Sequence, residues 1–314
     1  MTITIRRPFA HRMCVAALAG AALLQAIPAT AGTGASGMAF LKLGVSSQGV
    51  AMGDAMTASA SGAAATYYNP AGILTRTPAA PTFMVMHKEW IQDTRTQFIG
   101  TAFGLGESDA LGVSVNTTTV SDIEIRTRPG EAQGTFTARD LAVGVSYARQ
   151  LAEHIRAGVS VRYLYEQLLV DNASGIAGDI GVQMDTPVEG LVAGVALANI
   201  GSMNAMRNES VTLPFLARFG VAYPLALPSI DAQATLAVDG LHLFREGRTL
   251  AALGGEIVFL NMVAVRAGYQ SGSEGRGVSL GGGVRYGIVS VDYAYSKLAT
   301  ALGTGHTIAV GLSL

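Results

Sequence analysis

The chain has 314 residues, of which 39 are Gly, 49% are hydrophobic and only 14% are charged, with a formal charge of -1. This composition is too apolar for a disordered chain and lacks the basic excess of nucleic-acid-binding proteins, so we expect no nucleic-acid partner. Many apolar residues, few charges and much glycine together are typical of one class of membrane protein, the transmembrane β-barrel.

The first 31 residues have the features of a secretory signal peptide. A basic stretch with three arginines precedes an apolar run, and Ala29-Thr30-Ala31 matches a cleavage site. Removal of residues 1–31 also removes Cys14, the single cysteine of the chain. The mature protein is therefore predicted to lack disulfides and thiolate metal sites.

Residues 32–80 show no alternation and are rich in Ala, Gly, Ser and Met. A short helix is expected around Gln48–Ala58, where Met52 and Met56 are four residues apart. The segment is too apolar for a free tail and too irregular for strands. We predict that it forms a plug inside a barrel built by the rest of the chain, or a lid at the periplasmic mouth of that barrel.

From residue 81 to residue 314 the dominant pattern has a period of two, with apolar residues on one face and small or charged residues on the other. Short and long connections tend to alternate along the chain, with longer ones expected after the third, fifth, seventh, eleventh and thirteenth segments. These features predict an all-β fold, a transmembrane antiparallel β-barrel of about 14 strands. The predicted strands lie near residues 81–88, 95–105, 110–121, 137–150, 155–166, 176–185, 191–200, 214–223, 230–239, 249–257, 261–270, 276–286, 289–296 and 305–314.

The small-residue face is predicted to line the lumen, where its glycines leave room for something inside. By parity this face also carries five basic and five acidic residues. Such a balance indicates paired side chains across a partly closed lumen rather than an ion-selective pore. The predicted lumen charges are Arg162, Asp179, Arg218, Glu256, Arg266, Arg285 and Asp292, together with Asp140, Arg156 and Glu166.

The most specific local motif is Asn69-Pro70-Ala71-Gly72, which predicts a rigid corner in the backbone. Together with the runs Phe40–Gly44 and Gly49–Ala55, it closely resembles the N-terminal signature of the PorV/PorQ family, which belongs to the wider FadL-like group of outer-membrane barrels. The resemblance implies a barrel of fourteen strands with its N-terminal segment folded inside, in the outer membrane of a Gram-negative-type bacterium.

The resemblance also implies two possible functions. PorV-type members are type IX secretion components, which implies a shuttle or scaffold whose partners are secreted cargo proteins or secretion-system subunits. FadL-like relatives pass hydrophobic small molecules, which implies a transporter whose apolar ligand contacts Met52, Met56 and the lumen face. A purely structural, porin-like protein is the third possibility. In each case the barrel contacts outer-membrane lipid, and the predicted binding residues are Asn69, Pro70, Ala71, Gly72, Met52 and Met56.

Nothing in the sequence predicts an enzyme. The five histidines form no H-E-x-x-H motif and have no cysteine partners, so no metal site is expected. We expect no catalytic residues and no cofactor.

Overall fold

The computed structural model describes residues 36–75, 80–272, 277–298 and 303–314. The predicted signal peptide, residues 1–31, lies outside the described residues. The described chain is a short N-terminal segment followed by fourteen antiparallel strands that close into one barrel, because β1 pairs with β14. This confirms the predicted fold class. The strands are β1 (Thr82–Glu89), β2 (Thr94–Gly104), β3 (Asp109–Glu124), β4 (Thr135–Ala152), β5 (Ile155–Leu168), β6 (Asp171–Asp185), β7 (Val192–Met203), β8 (Leu216–Leu227), β9 (Ala232–Leu243), β10 (Arg248–Phe259), β11 (Val263–Ser271), β12 (Val278–Tyr286), β13 (Val289–Lys297) and β14 (Thr304–Ser313).

The connections at the two ends of the barrel differ in length. The end that holds the first residue of β1 and the last residue of β14 has only short turns, whereas the opposite end carries residues 125–134 and 204–215. Short periplasmic turns and longer extracellular loops are the rule in such barrels, so the second end is extracellular. The expectation of a longer loop after the fifth strand is wrong. Leu169 and Val170 alone join β5 and β6, because both strands continue beyond the predicted limits.

The outer face of the barrel is a belt of large apolar side chains. On β5, for example, Val159, Val161 and Tyr163 are exposed while the residues between them are buried. A belt of this kind is stable only when lipid surrounds it, and the chain is an outer-membrane β-barrel. No helix among the described residues is long and apolar enough to span a membrane.

The segment from residue 36 to residue 75, called the plug below, lies inside the barrel. It contains two helical turns, α1 (Ser47–Ala51) and α2 (Ala65–Tyr68), and three 3-10 helices, Ala39–Lys42, Gly62–Ala64 and Pro70–Ile73. The expected helix over Gln48–Ala58 is therefore shorter than predicted. It ends early because Gly53 and Asp54 both have positive φ, at 66° and 64°, a conformation that cannot continue a right-handed helix.

Candidate functional site: the plug and its seat

The motif Asn69-Pro70-Ala71-Gly72 lies against the inner wall of β5 and β6. The Asn69 side chain is fully buried and caps the 3-10 helix Pro70–Ile73 by accepting a hydrogen bond from Ala71 N. Its Nδ2 donates to Thr57 O in the plug at 2.9 Å and to Val182 O in the wall at 3.1 Å. One side chain therefore joins the corner, the rest of the plug and the barrel.

Two wall glycines make this contact possible. A Cβ atom at Gly181 would lie 2.0 Å from Asn69 Oδ1, and one at Gly158 would lie 2.4 Å from the carbonyl carbon of Pro70. Neither distance is compatible with a side chain at these positions. The glycines of the inner face therefore form a seat for the plug backbone, which is how the space predicted from the sequence is used.

The backbone of Met52 also packs against wall glycines, on the opposite side of the barrel. It lies within 3 Å of the positions that Cβ atoms would take at Gly254 and Gly268. Met52 and Met56 are both buried in the main apolar cluster between plug and wall. In this conformation their side chains pack against protein, and a ligand would reach them only after the plug had moved.

Asp239 on β9 joins the wall to the plug through three hydrogen bonds. Its Oδ2 accepts hydrogen bonds from Met56 N at 2.9 Å, from Thr57 N at 2.8 Å and from the Thr57 hydroxyl at 2.6 Å. The carboxylate is buried, so these bonds are shielded from water. Sequence reasoning missed this residue because Asp239 stands at the end of a predicted strand, where alternation is no longer visible.

Arg218 on β8 holds the plug through aromatic rings. The buried guanidinium lies 5.2 Å from the ring centroid of Tyr67 and 5.6 Å from that of Tyr68, within the range of cation–π contacts. Its Nη2 also donates to the Tyr67 hydroxyl at 3.4 Å. The Tyr68 hydroxyl donates to Asp54 Oδ1 at 2.7 Å.

Two further groups of predicted lumen charges come together as ion pairs. Arg162 donates to Asp179 and to Asn199 Oδ1, and all three side chains are buried. Nearer the periplasm, Arg266 bridges Glu256 and Asp292. Gln48 of the plug donates to Glu256, so this second group also touches the plug.

Arg285 is one of the predicted lumen charges that join neither group. Its register places it on the inward face of β12 with Gly281 and Gly283, but it is exposed at the periplasmic end beside Met262.

Lys88 was missed by sequence reasoning because it ends a predicted strand. The side chain is fully buried, donates from Nζ to Gly44 O and lies 5.7 Å from the Trp90 ring.

The first residues of the plug are tied to the extracellular loops. Glu246, in the connection between β9 and β10, accepts hydrogen bonds from Ser36 and Lys42. Gly37 N donates to Thr212 O in the long connection between β7 and β8 at 2.9 Å. The plug therefore runs from the extracellular mouth into the lumen, where Leu74 O accepts a hydrogen bond from Arg156 near the periplasmic start of β5.

An apolar cluster lies in the extracellular half of the lumen. Met38, Phe40 and Leu41 of the plug form one buried cluster with inward-facing wall residues and with the loop between β7 and β8. The other members of this cluster, called the entrance cluster below, are Ala142, Leu164, Ala177, Leu213, Leu43, Met203 and Val211.

A pocket adjoins the entrance cluster where β7 and β8 separate. Pairing between these strands stops at Ala198 and Leu216, although β7 itself continues to Met203. A cavity of about 360 Å³ lies at this place and shares Met203, Val211 and Leu213 with the entrance cluster. Among the described residues, no cluster of His, Cys, Asp and Glu could hold a metal ion.

No protein-family model matches the chain, and no curated protein matches it in sequence. Solved structures do match the fold. The structure described as the CymD monoaromatic hydrocarbon channel aligns with a TM-score of 0.62 at 13% identity, over 86% of this chain and 98% of its own. The toluene transporter TodX of Pseudomonas putida aligns with a TM-score of 0.61 at 12% identity, over 86% of this chain and 98% of its own. A FadL homologue of Pseudomonas aeruginosa aligns with a TM-score of 0.53 at 9% identity, over 85% of this chain and 97% of its own.

The fold is similar to that of FadL-like outer-membrane channels. At these identities the likeness concerns the fold alone. It agrees with the wider FadL-like group to which the sequence motifs pointed. The narrower PorV/PorQ assignment has no matching family model and stays a prediction.

Proposed function

We propose that the protein passes apolar small molecules across the outer membrane. The observation that carries this proposal is the pocket at the β7–β8 separation, which is continuous with the entrance cluster and through it with Phe40 and Leu41 of the plug. The apolar part of the pocket wall, which includes Ile200, Met203, Val211, Leu213 and Phe215, can contact a hydrophobic ligand, and the remaining lining residues include Asn199, Ser202, Ser210, Thr212 and Arg245.

The plug supports the same proposal. It fills the lumen with protein and is held by Asp239, Arg218 and the glycine seat, an arrangement that opposes free passage of water and ions. The three fold neighbours named above are described as a hydrocarbon channel, a toluene transporter and a FadL homologue. A non-enzymatic role in transport accounts for all of these features, and no step of it requires a cofactor.

The secretion function implied by the PorV/PorQ resemblance makes a different prediction. A secretion shuttle needs a surface for cargo proteins, whereas the features described above are all inside the barrel. None of the three neighbours is described as a secretion component. The transporter is therefore the better supported of the two functions.

The deciding experiment compares a deletion strain with the same strain carrying the wild-type gene. Initial uptake rates of labelled toluene and of glycerol are measured in intact cells, and the proteins on the cell surface are identified in parallel. We expect the deletion to slow toluene uptake and to change neither glycerol uptake nor the surface proteins. An unchanged toluene rate with missing surface proteins would instead support secretion.

A further inference from the structure

The outer face of β4 carries one arginine at each edge of the apolar belt. Arg139 and Arg149 point outward, and the outward residues between them are Leu141, Val143, Val145 and Tyr147. Ten residues of strand span about 33 Å, which a tilt near 40° reduces to roughly 25 Å, the usual height of the apolar band. Arg139 therefore lies at the outer surface of the membrane and Arg149 at the periplasmic surface.

The two arginines differ in their partners. Arg149 has a carboxylate nearby, because its Nε lies 3.7 Å from Asp109 Oδ1. Within the described part of the chain, Arg139 forms no ion pair. Arg95 on β2 also forms no ion pair with the described residues. Arg95 pairs with Thr119 on β3, and Thr119 pairs with Arg139, so the three residues form one row across the strands. Both side chains are exposed.

The nearest acid in this row is Glu89 on β1, directly opposite Arg95. Its carboxylate lies 3.8 Å from His87 Nε2 and forms no ion pair with Arg95. The outer surface between β2 and β4 therefore presents two guanidinium groups that form no ion pair with any carboxylate of the described residues.

We propose that Arg95, Thr119 and Arg139 form a binding site for the phosphate groups of a phosphorylated glycolipid in the outer leaflet. Neighbouring strands are about 4.8 Å apart, so the two arginine backbones are separated by roughly 10 Å across Thr119. Side chains of this length reach a phosphate, or two phosphates of one headgroup, lying over Thr119. Guanidinium groups bind phosphate oxygens in pairs, and the Thr119 hydroxyl adds one donor.

The surface below the row becomes apolar towards the membrane centre. The next outward residues are Gln97 on β2 and Leu141 on β4, and they are followed by Ile99 and Val143, both exposed and apolar. Acyl chains would lie along these strands while the headgroup stays at the arginine row. This site is independent of what passes through the lumen.

The test uses the purified full chain in detergent and measures lipid binding by native mass spectrometry. The probes are a bisphosphorylated glycolipid, its dephosphorylated analogue and phosphatidylglycerol. We expect the bisphosphorylated lipid to bind best and the R95Q/R139Q double variant to bind it about 30-fold more weakly. Each single variant, R95Q or R139Q, should bind the bisphosphorylated lipid about fivefold more weakly than the wild type. These single variants keep the test valid if the double variant does not fold. The control variant R149Q should bind as the wild type does.

Three results would overturn the proposal. The first is equal binding of the bisphosphorylated and dephosphorylated lipids by the wild type. The second is equal binding of phosphatidylglycerol, which would show a general attraction to anionic lipid. The third is a loss of affinity for the bisphosphorylated lipid in R149Q that is as large as the loss in R95Q/R139Q.

Discussion

Adding one methyl group to the glycine seat should release the plug. In Gly181→Ala the new Cβ would lie 2.0 Å from Asn69 Oδ1, where ordinary contacts begin at 3.4 Å, so the Asn69 side chain must move by more than 1 Å. Overpacking of this kind costs about 1–3 kcal/mol, and a weakened bond to Val182 O or Ala71 N costs about 1 kcal/mol more. The total of at least about 2 kcal/mol corresponds to an increase of about 30-fold in the undocked fraction.

Thiol labelling measures this fraction directly. The single natural cysteine is Cys14, so a purified mature chain without residues 1–31 carries no competing thiol. Ser47 is fully buried in the plug, and its hydroxyl has no hydrogen-bond partner among the described residues, which makes Ser47→Cys a nearly isosteric reporter. The rate of reaction with a water-soluble maleimide then reports how often the plug leaves its seat.

Gly255→Ala is the matched control, because its new Cβ would meet only Leu236 Cδ2 at an ordinary 3.7 Å. Both variants must show the heat-dependent change in gel migration that a folded barrel gives. We expect labelling to be about 30-fold faster in Gly181→Ala than in Gly255→Ala. Equal rates in the two variants would refute the idea that the glycine seat holds the plug.

Two further substitutions test the polar contacts. Asp239→Ala leaves two backbone N–H groups of the plug without their acceptor, so plug docking should weaken by about 3 kcal/mol and Ser47→Cys labelling should accelerate, while exposed Glu107→Gln should change nothing. Unchanged labelling in Asp239→Ala would contradict this role. Arg162→Ala leaves the Asp179 carboxylate buried without its cation, so the barrel should lose about 3–5 kcal/mol in denaturant titrations. Arg126→Ala breaks an exposed pair with Glu124 and should cost less than about 1 kcal/mol, so equal losses for the two arginines would refute the distinction.

The barrel could be predicted from the sequence because lipid imposes a strict alternation on each strand. All fourteen predicted segments correspond to strands of the structure. The errors fall outside the membrane, where alternation is no longer required. β6 begins at Asp171 rather than near residue 176, and the intervening polar residues read as a loop although they pair with β5.

The plug contacts could be predicted only in part. Balanced charges on the inner face indicated pairing, and Arg162 with Asp179 and Arg266 with Glu256 do pair. The attachment of the plug could not be read from the sequence, because Asp239 binds residues more than 180 positions away through backbone groups. Such contacts depend on how the irregular segment 36–75 folds, and no periodic pattern describes it.

The most direct test of apolar transport changes the entrance cluster itself. Leu164 is fully buried in this cluster, and Leu164→Asn places an amide in the proposed path, whereas Gln167→Asn changes an outward residue of the same strand. Initial rates of toluene uptake are measured in the deletion strain carrying each gene, with folding verified by gel migration. The account predicts that Leu164→Asn slows toluene uptake several-fold and that Gln167→Asn matches the wild type. A wild-type rate of toluene uptake in the Leu164→Asn strain would contradict it, and so would a wild-type strain that takes up toluene no faster than the deletion strain.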